Sequence, residues 1–259
     1  MQTTRQTGWM VVRQLRNISR QPIWVVMMII QPMIWLVLYG QLLKNAGLQG
    51  KSQGAGTYIE FLAPGIICMN AFFGGMWSGM GMITDLDRKV VDRFLAAPAS
   101  RFAIVFSQVV RAGITAVLQT LILLVVGLAL GVRIHGGVLG WLVVCAAAFL
   151  LAAAFAGFSN GLALIFRRPE SMIATANMVG LPLMFLSSIL LTFTLMPGWI
   201  KGVARYNPVN WGVNAARYAV TQQHGTWGTT GGFLLFLLAA MAVTSVFATW
   251  CFRSYQRSI

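Results

Sequence analysis

The stretch from Tyr58 to Pro98 reads YIEFLAPGIICMNAFFGGMWSGMGMITDLDRKVVDRFLAAP. From Tyr58 to Ile83 it carries one charged residue, Glu60. A bilayer core about 30 Å thick takes about 20 apolar residues of helix, and this run exceeds that. Thr57-Tyr58-Ile59-Glu60 fits a capping box at its start, which makes Glu60 a cap group. After Ile83 the character changes. Asp85, Asp87 and Asp92 are three of the five acidic residues in the chain, and they alternate with Arg88, Lys89 and Arg93. As a helix, this turn puts Leu86, Val90, Val91 and Phe94 on one side and Asp85, Arg88, Lys89, Asp92 and Arg93 on the other. Asp85 and Lys89 stand i,i+4 in the favourable order, and Pro98 ends the helix. A membrane-length run that closes in a short amphipathic turn is one half of a hairpin through a bilayer.

Working outward, five more runs reach spanning length: about Ile23–Leu43, Phe102–Gly131, Val138–Phe166, Met172–Leu195 and Gly231–Phe252. The composition agrees. The 259 residues are 58% hydrophobic and 9% charged, with mean hydropathy +0.74. Soluble domains carry about 25% charged residues, so an ordinary soluble enzyme, a disordered chain and a secreted disulfide scaffold are excluded. The first run is too long for a signal peptide and lacks a small-residue cleavage site, so it reads as a retained span.

The net charge of +14 would suggest nucleic acid in a soluble protein. Here the basic residues sit at the ends of apolar runs. Arg5, Arg13, Arg16, Arg20, Arg88, Lys89, Arg93, Arg101, Arg167, Arg168, Arg253 and Arg257 fall on one side of a six-span chain. Lys44, Lys51, Arg133, Lys201, Arg205 and Arg217 fall on the other. The positive-inside rule places both termini in the cytoplasm.

The segment from Arg5 to Arg20 reads as a basic amphipathic helix, with Val11, Val12, Leu15 and Ile18 on an arc apart from the arginines. Residues 196–230 are long for a plain connector and rich in Trp and Tyr. Pro197 and Pro208 each open a short helix there, with Asn207 as N-cap before Pro208.

Chemistry-bearing constellations are missing from the sequence. Gly50-Lys51-Ser52 ends like a phosphate-binding loop, but Asn45 stands where the first glycine belongs, so the chain has no ATPase motif and reads as a non-enzyme. His135 and His224 stand alone, and Cys68, Cys145 and Cys251 each lie in apolar runs, so no metal site is expected. Arg111, inside the third run, faces a cavity, pairs or snorkels. Asn70, Asn160 and Asn177 either line a pathway or bond between helices. Gly75 and Gly79 form a GxxxG, a signal for close helix packing.

The layout resembles the permease subunits of type-2 ABC exporters, and most of all daunorubicin-resistance-type drug-efflux permeases. The residues carrying the resemblance are Phe61-Leu62-Ala63-Pro64-Gly65-Ile66, then Asp85 through Phe94, then Ala97-Pro98-Ala99-Ser100-Arg101. Arg168-Pro169-Glu170, Met196-Pro197-Gly198-Trp199, Asn207-Pro208 and Arg217 follow in order.

The resemblance implies an all-α membrane protein with six transmembrane helices. A cytoplasmic amphipathic helix (residues 1–22) precedes a single six-span domain (residues 23–259). That domain includes a cytoplasmic coupling loop (84–101) and an external segment (196–230) of re-entrant helices. A separate ATP-binding subunit, holding ATP and Mg, would dock on Asp85, Leu86, Asp87, Arg88, Lys89, Val90, Asp92, Arg93 and Phe94, and on Arg13 and Arg16. Two permease copies, identical or paralogous, would form the pathway in the plasma membrane. Asn70, Phe72, Phe73, Met76 and Trp77 of the second span, with Asn177, Met184, Phe185 and Ser188 of the fifth, would line it. The cargo implied is a hydrophobic or amphipathic small molecule. A glycan or lipid-linked saccharide is the alternative, and a self-contained secondary carrier is disfavoured because no internal repeat or coupling carboxylate is found.

Overall fold

The computed structural model describes residues 30–38, 58–88, 101–189, 196–223 and 225–256. Among them the chain is all helical. The helices are α1 (residues 30–38), α2 (Tyr58–Asp87), α3 (Arg101–Ala129), α4 (Gly137–Phe166), α5 (Pro169–Phe185), α6 (Gly198–Tyr206), α7 (Pro208–Thr221) and α8 (Trp227–Gln256). Four of these, α2, α3, α4 and α8, are long and apolar enough to cross a membrane. They match the second, third, fourth and sixth expected runs. Most of the first run lies outside the described residues.

The fifth run differs from expectation. Its helix stops at Phe185 instead of reaching Leu195. The carbonyls that would carry it onward are taken by side chains. Leu183 O accepts from Asn207 Nδ2 at 2.7 Å, and Leu186 O from the same nitrogen at 3.2 Å. Met184 O accepts from Ser187 Oγ at 2.6 Å. Side-chain donors on carbonyls of the last turn offer the backbone an alternative to another helical turn. Residues 190–195 lie outside the described residues.

α4 is the central helix, packed against α2, α3, α7 and α8. Its small residues let neighbours approach closely. A methyl added at Gly75 of α2 would lie 2.5 Å from the Ala152 carbonyl oxygen of α4. One at Gly79 would lie 2.5 Å from Ser159 Oγ. Both glycines of the GxxxG therefore serve the α2–α4 contact. Ser159 Oγ seals it, accepting from Gly79 N at 3.0 Å and donating to Met76 O. α5 lies antiparallel along α2, with Met172 against Gly79, Gly180 against Phe73 and Ile189 against Gly65.

The stretch after α5 forms the two short helices expected at Pro197 and Pro208. Asn207 caps α7 by accepting from Val209 N at 2.9 Å. Gly212 of α7 sits beside Leu151 and Cys68. Cys68 is ten residues into α2, about 15 Å along its axis. From that depth α7 rises to the α3–α4 turn, where Val220 O accepts from His135 N at 2.9 Å. On α8 Leu235, Phe236, Val243, Val246 and Trp250 are exposed. An apolar stripe left outside a packed bundle is what a helix presents to lipid.

Candidate functional site

At one end of the bundle α2 runs unbroken to Asp87, so Asp85, Leu86 and Asp87 form the last turn of a long helix. Leu86 packs into a cluster with Met82, Ile83, Val105 and Phe252. Asp85 turns toward α3, where its Oδ2 accepts from Gln108 Nε2 at 2.8 Å. Asp87 and Arg88 are exposed. Lys89, Val90, Asp92, Arg93 and Phe94, with Arg13 and Arg16, lie outside the described residues.

Between α2 and α3 a polar seam runs along both helices. Asp85 meets Gln108, Gly81 meets Arg111, and Asn70 Nδ2 donates to Gln119 Oε1 at 3.0 Å. At 100° per residue, Asn70, Gly74, Ser78, Gly81 and Asp85 fall within about 80° on α2, and Gln108, Arg111, Thr115 and Gln119 do the same on α3. Antiparallel helices with matched polar stripes hydrogen-bond to each other because lipid offers neither stripe a partner. Asp85 is the acidic group whose charge reaches Arg111.

At the opposite end, α7 ties the break after α5 to α2. Asn210 Oδ1 accepts from Ser188 Oγ at 2.6 Å and from Ser188 N at 3.2 Å. Arg217 donates to Ser188 O at 2.7 Å and, at 3.4 Å, to Phe61 O. Its guanidinium carbon lies 3.7 Å from the centre of the Phe61 ring. Sequence reasoning passed over Asn210 and Asn214. Their signal was present: Asn207, Asn210, Asn214 and Arg217 recur at i, i+3, i+7 and i+10, a polar face on an otherwise apolar helix. Thr57, the partner expected for Glu60 as a cap, lies outside the described residues, and among them Glu60 reaches another segment. Its Oε1 accepts from the Arg133 N–H of the α3–α4 turn at 3.2 Å.

The nine expected pathway residues divide by position. Phe72 and Met76 are buried, with Phe72 set edge-on to Phe155 at 4.5 Å between ring centres. Ser188 is buried in the α7 tie, and Asn70 is bonded in the α2–α3 seam. Phe73 and Met184 are half-buried. Trp77, Asn177 and Phe185 are exposed, and Asn177 shares its open face of α5 with Met178 and Leu181. Asn160 is fully buried in α4, with no hydrogen-bond partner for its amide among the described residues.

Comparison with known proteins places this arrangement. The family described as ABC-2 type transporter matches residues 5–221. The chain is 30% identical over 219 residues to the putative transport permease ycf38 of Cyanophora paradoxa, covering 84% of this chain and 74% of that protein. It is 26% identical over 249 residues to the daunorubicin resistance ABC transporter permease protein DrrB1 of Streptomyces coeruleorubidus, covering 94% and 83%. It is 24% identical over 217 residues to the probable doxorubicin resistance ABC transporter permease protein DrrC of Mycobacterium tuberculosis, covering 83% and 75%.

Proposed function

The chain belongs to the ABC-2 type transporter family, as a transmembrane permease subunit of an ABC exporter that works with an ATP-binding subunit, and on that premise we propose that it moves hydrophobic or amphipathic small molecules, drugs or lipid-like compounds among them, out of the cell. The observation that carries the cargo class is the match to a daunorubicin resistance permease along 94% of this chain.

In this reading the chain crosses the plasma membrane six times, with both termini in the cytoplasm. The four membrane-length helices supply four crossings, residues 23–43 a fifth, and α5 with the residues after it the sixth. α6 and α7 re-enter from the outside. ATP and Mg are held by the partner subunit, which docks on the turn from Asp85 to Phe94 and on the N-terminal helix with Arg13 and Arg16. A second permease copy faces the open sides of α2 and α5, and Trp77, Asn177 and Phe185 line the pathway between the copies. Closure of the ATP-binding subunits moves the coupling turns, and the long α2 carries that motion into the membrane as a two-state shift.

Two measurements test this. Pull-down of the tagged chain from its native membrane in mild detergent, with mass spectrometry, is expected to bring a stoichiometric P-loop ATPase. Vesicles holding that complex are expected to move daunorubicin only when ATP is supplied. A complex that hydrolyses ATP yet leaves daunorubicin and other amphipathic dyes in place would overturn the cargo class.

A further inference from the structure

The guanidinium of Arg111 keeps a donor that the α2–α3 seam does not satisfy, although the charge of Asp85 reaches it. Gln108 Nε2 donates to Asp85 and Gln119 Oε1 accepts from Asn70, while Gln108 Oε1 is buried with no partner among the described residues. Arg111 Nε is buried with no hydrogen-bond partner among the described residues. Ser78 Oγ, on the same face of α2, is also buried and without a partner among them. The side chain is nevertheless half-buried, not sealed. It rests on Gly81, where an added methyl would lie 2.9 Å from one of its terminal nitrogens. Trp77, exposed, lies one turn from Gly81 and about 40° from it around α2, so an aromatic face stands beside Arg111.

The depth matters. Gly81 is six residues before the end of α2 at Asp87, about 9 Å along the axis. That is near the boundary between hydrocarbon and headgroups for a helix that projects past both sides of a bilayer. A guanidinium held there with a donor left unmatched is costly. Carboxylates and phosphates both match its planar fork with two parallel hydrogen bonds; the carboxylate in reach, Asp85, also accepts from Gln108, and a phosphate is the other class of acceptor that fits.

We propose that Arg111, Gly81, Ser78 and Trp77 form a crevice that binds the phosphate group of an amphipathic molecule, whose apolar part lies along Trp77 and Phe73. Arg111 supplies the charge-assisted bonds and Ser78 a hydroxyl donor. Gly81 leaves the room a side chain would take. That the molecule enters from the cytoplasmic leaflet rests on the topology proposed above; phosphate recognition does not.

The test uses the purified full chain in detergent, titrated with phosphatidylglycerol, with phosphate-free diacylglycerol and with inorganic phosphate, and read by native mass spectrometry. Phosphatidylglycerol is expected to bind at least about tenfold more tightly than diacylglycerol, and Arg111→Gln to remove that preference. Arg111→Lys, which keeps the charge, is expected to retain part of it. Arg253→Gln removes an exposed cation at the end of α8 and is expected to leave it unchanged, which separates the crevice from general surface attraction. Tight binding of inorganic phosphate alone makes a free anion the ligand; binding only with acyl chains makes it a lipid head. Equal binding of the two lipids by the unmodified chain, or an unchanged preference in a folded Arg111→Gln chain, overturns the proposal. Because the chain is tested alone, a failure here is distinguishable from a failure of the exporter's cargo assignment.

Discussion

The guanidinium of Arg217 in α7 stacks on the ring of Phe61 in α2, 3.7 Å from its centre, and from there reaches the carbonyl of Ser188 beyond α5 at 2.7 Å. One side chain thus joins three segments that are far apart in sequence. Arg217→Gln is expected to lower stability by about 2–3 kcal/mol, since it removes a charge-assisted bond and a cation–π contact together. Phe61→Leu keeps the hydrogen bonds and is expected to cost about 1 kcal/mol less than that. Thermal unfolding of both variants in the same detergent checks the order.

Asn207 does two jobs, capping α7 and ending α5. Asn207→Ala removes the acceptor for Val209 N and the donor to Leu183 O and Leu186 O. The expected loss is about 2 kcal/mol, at the upper end of cap deletions. Asn207→Asp keeps the cap but not the donor, and is expected to recover only part of it. Proteolysis between α5 and α7, faster in both variants, is the measurement.

Gly74 and Gly75 are neighbours with opposite tolerances. A methyl at Gly75 would meet the Ala152 carbonyl oxygen at 2.5 Å, whereas nothing lies within 4 Å of one at Gly74. Gly75→Ala is expected to destabilise by about 1–3 kcal/mol through overpacking. Gly74→Ala is expected to be neutral or stabilising by up to about 1 kcal/mol from helix propensity. Melting temperatures of the two single variants decide it.

Asn70 and Gln119 form a single bond between α2 and α3. A double-mutant cycle with Asn70→Val and Gln119→Leu is expected to give a coupling energy of about 0.6–1.7 kcal/mol, the range for polar pairs between membrane helices. Additive losses would mean that Asn70 acts elsewhere, for instance toward cargo.

The coupling role proposed for the turn from Asp85 to Phe94 is tested by charge reversal at Asp92 or Arg93. Either variant is expected to fold and to associate with the ATP-binding subunit while transport per ATP hydrolysed falls about tenfold. Normal transport by Asp92→Arg would remove the docking role from that turn.

The membrane class, the places of α2, α3, α4 and α8 to within about four residues at each end, and the two helices opening at Pro197 and Pro208 were legible in the chain itself. Each rests on local terms: the length of an apolar run against bilayer thickness, and the stereochemistry of proline and asparagine at helix starts. The end of α5 was not legible, because residues 186–195 remain apolar enough to continue a helix. Besides the local Ser187, what takes up its last carbonyls is Asn207, the N-cap of α7, more than twenty residues on. Arg111 likewise read as a lone charge in a span, and only the antiparallel register of α2 and α3 put Gly81 under it and Asp85 near it. Sequence alone determined which described helices are long and apolar enough to cross a membrane, because partition into lipid depends on each segment's own composition. Tertiary structure decided which polar groups satisfy one another there, because in lipid a buried donor finds its acceptor on whichever helix packing brings alongside.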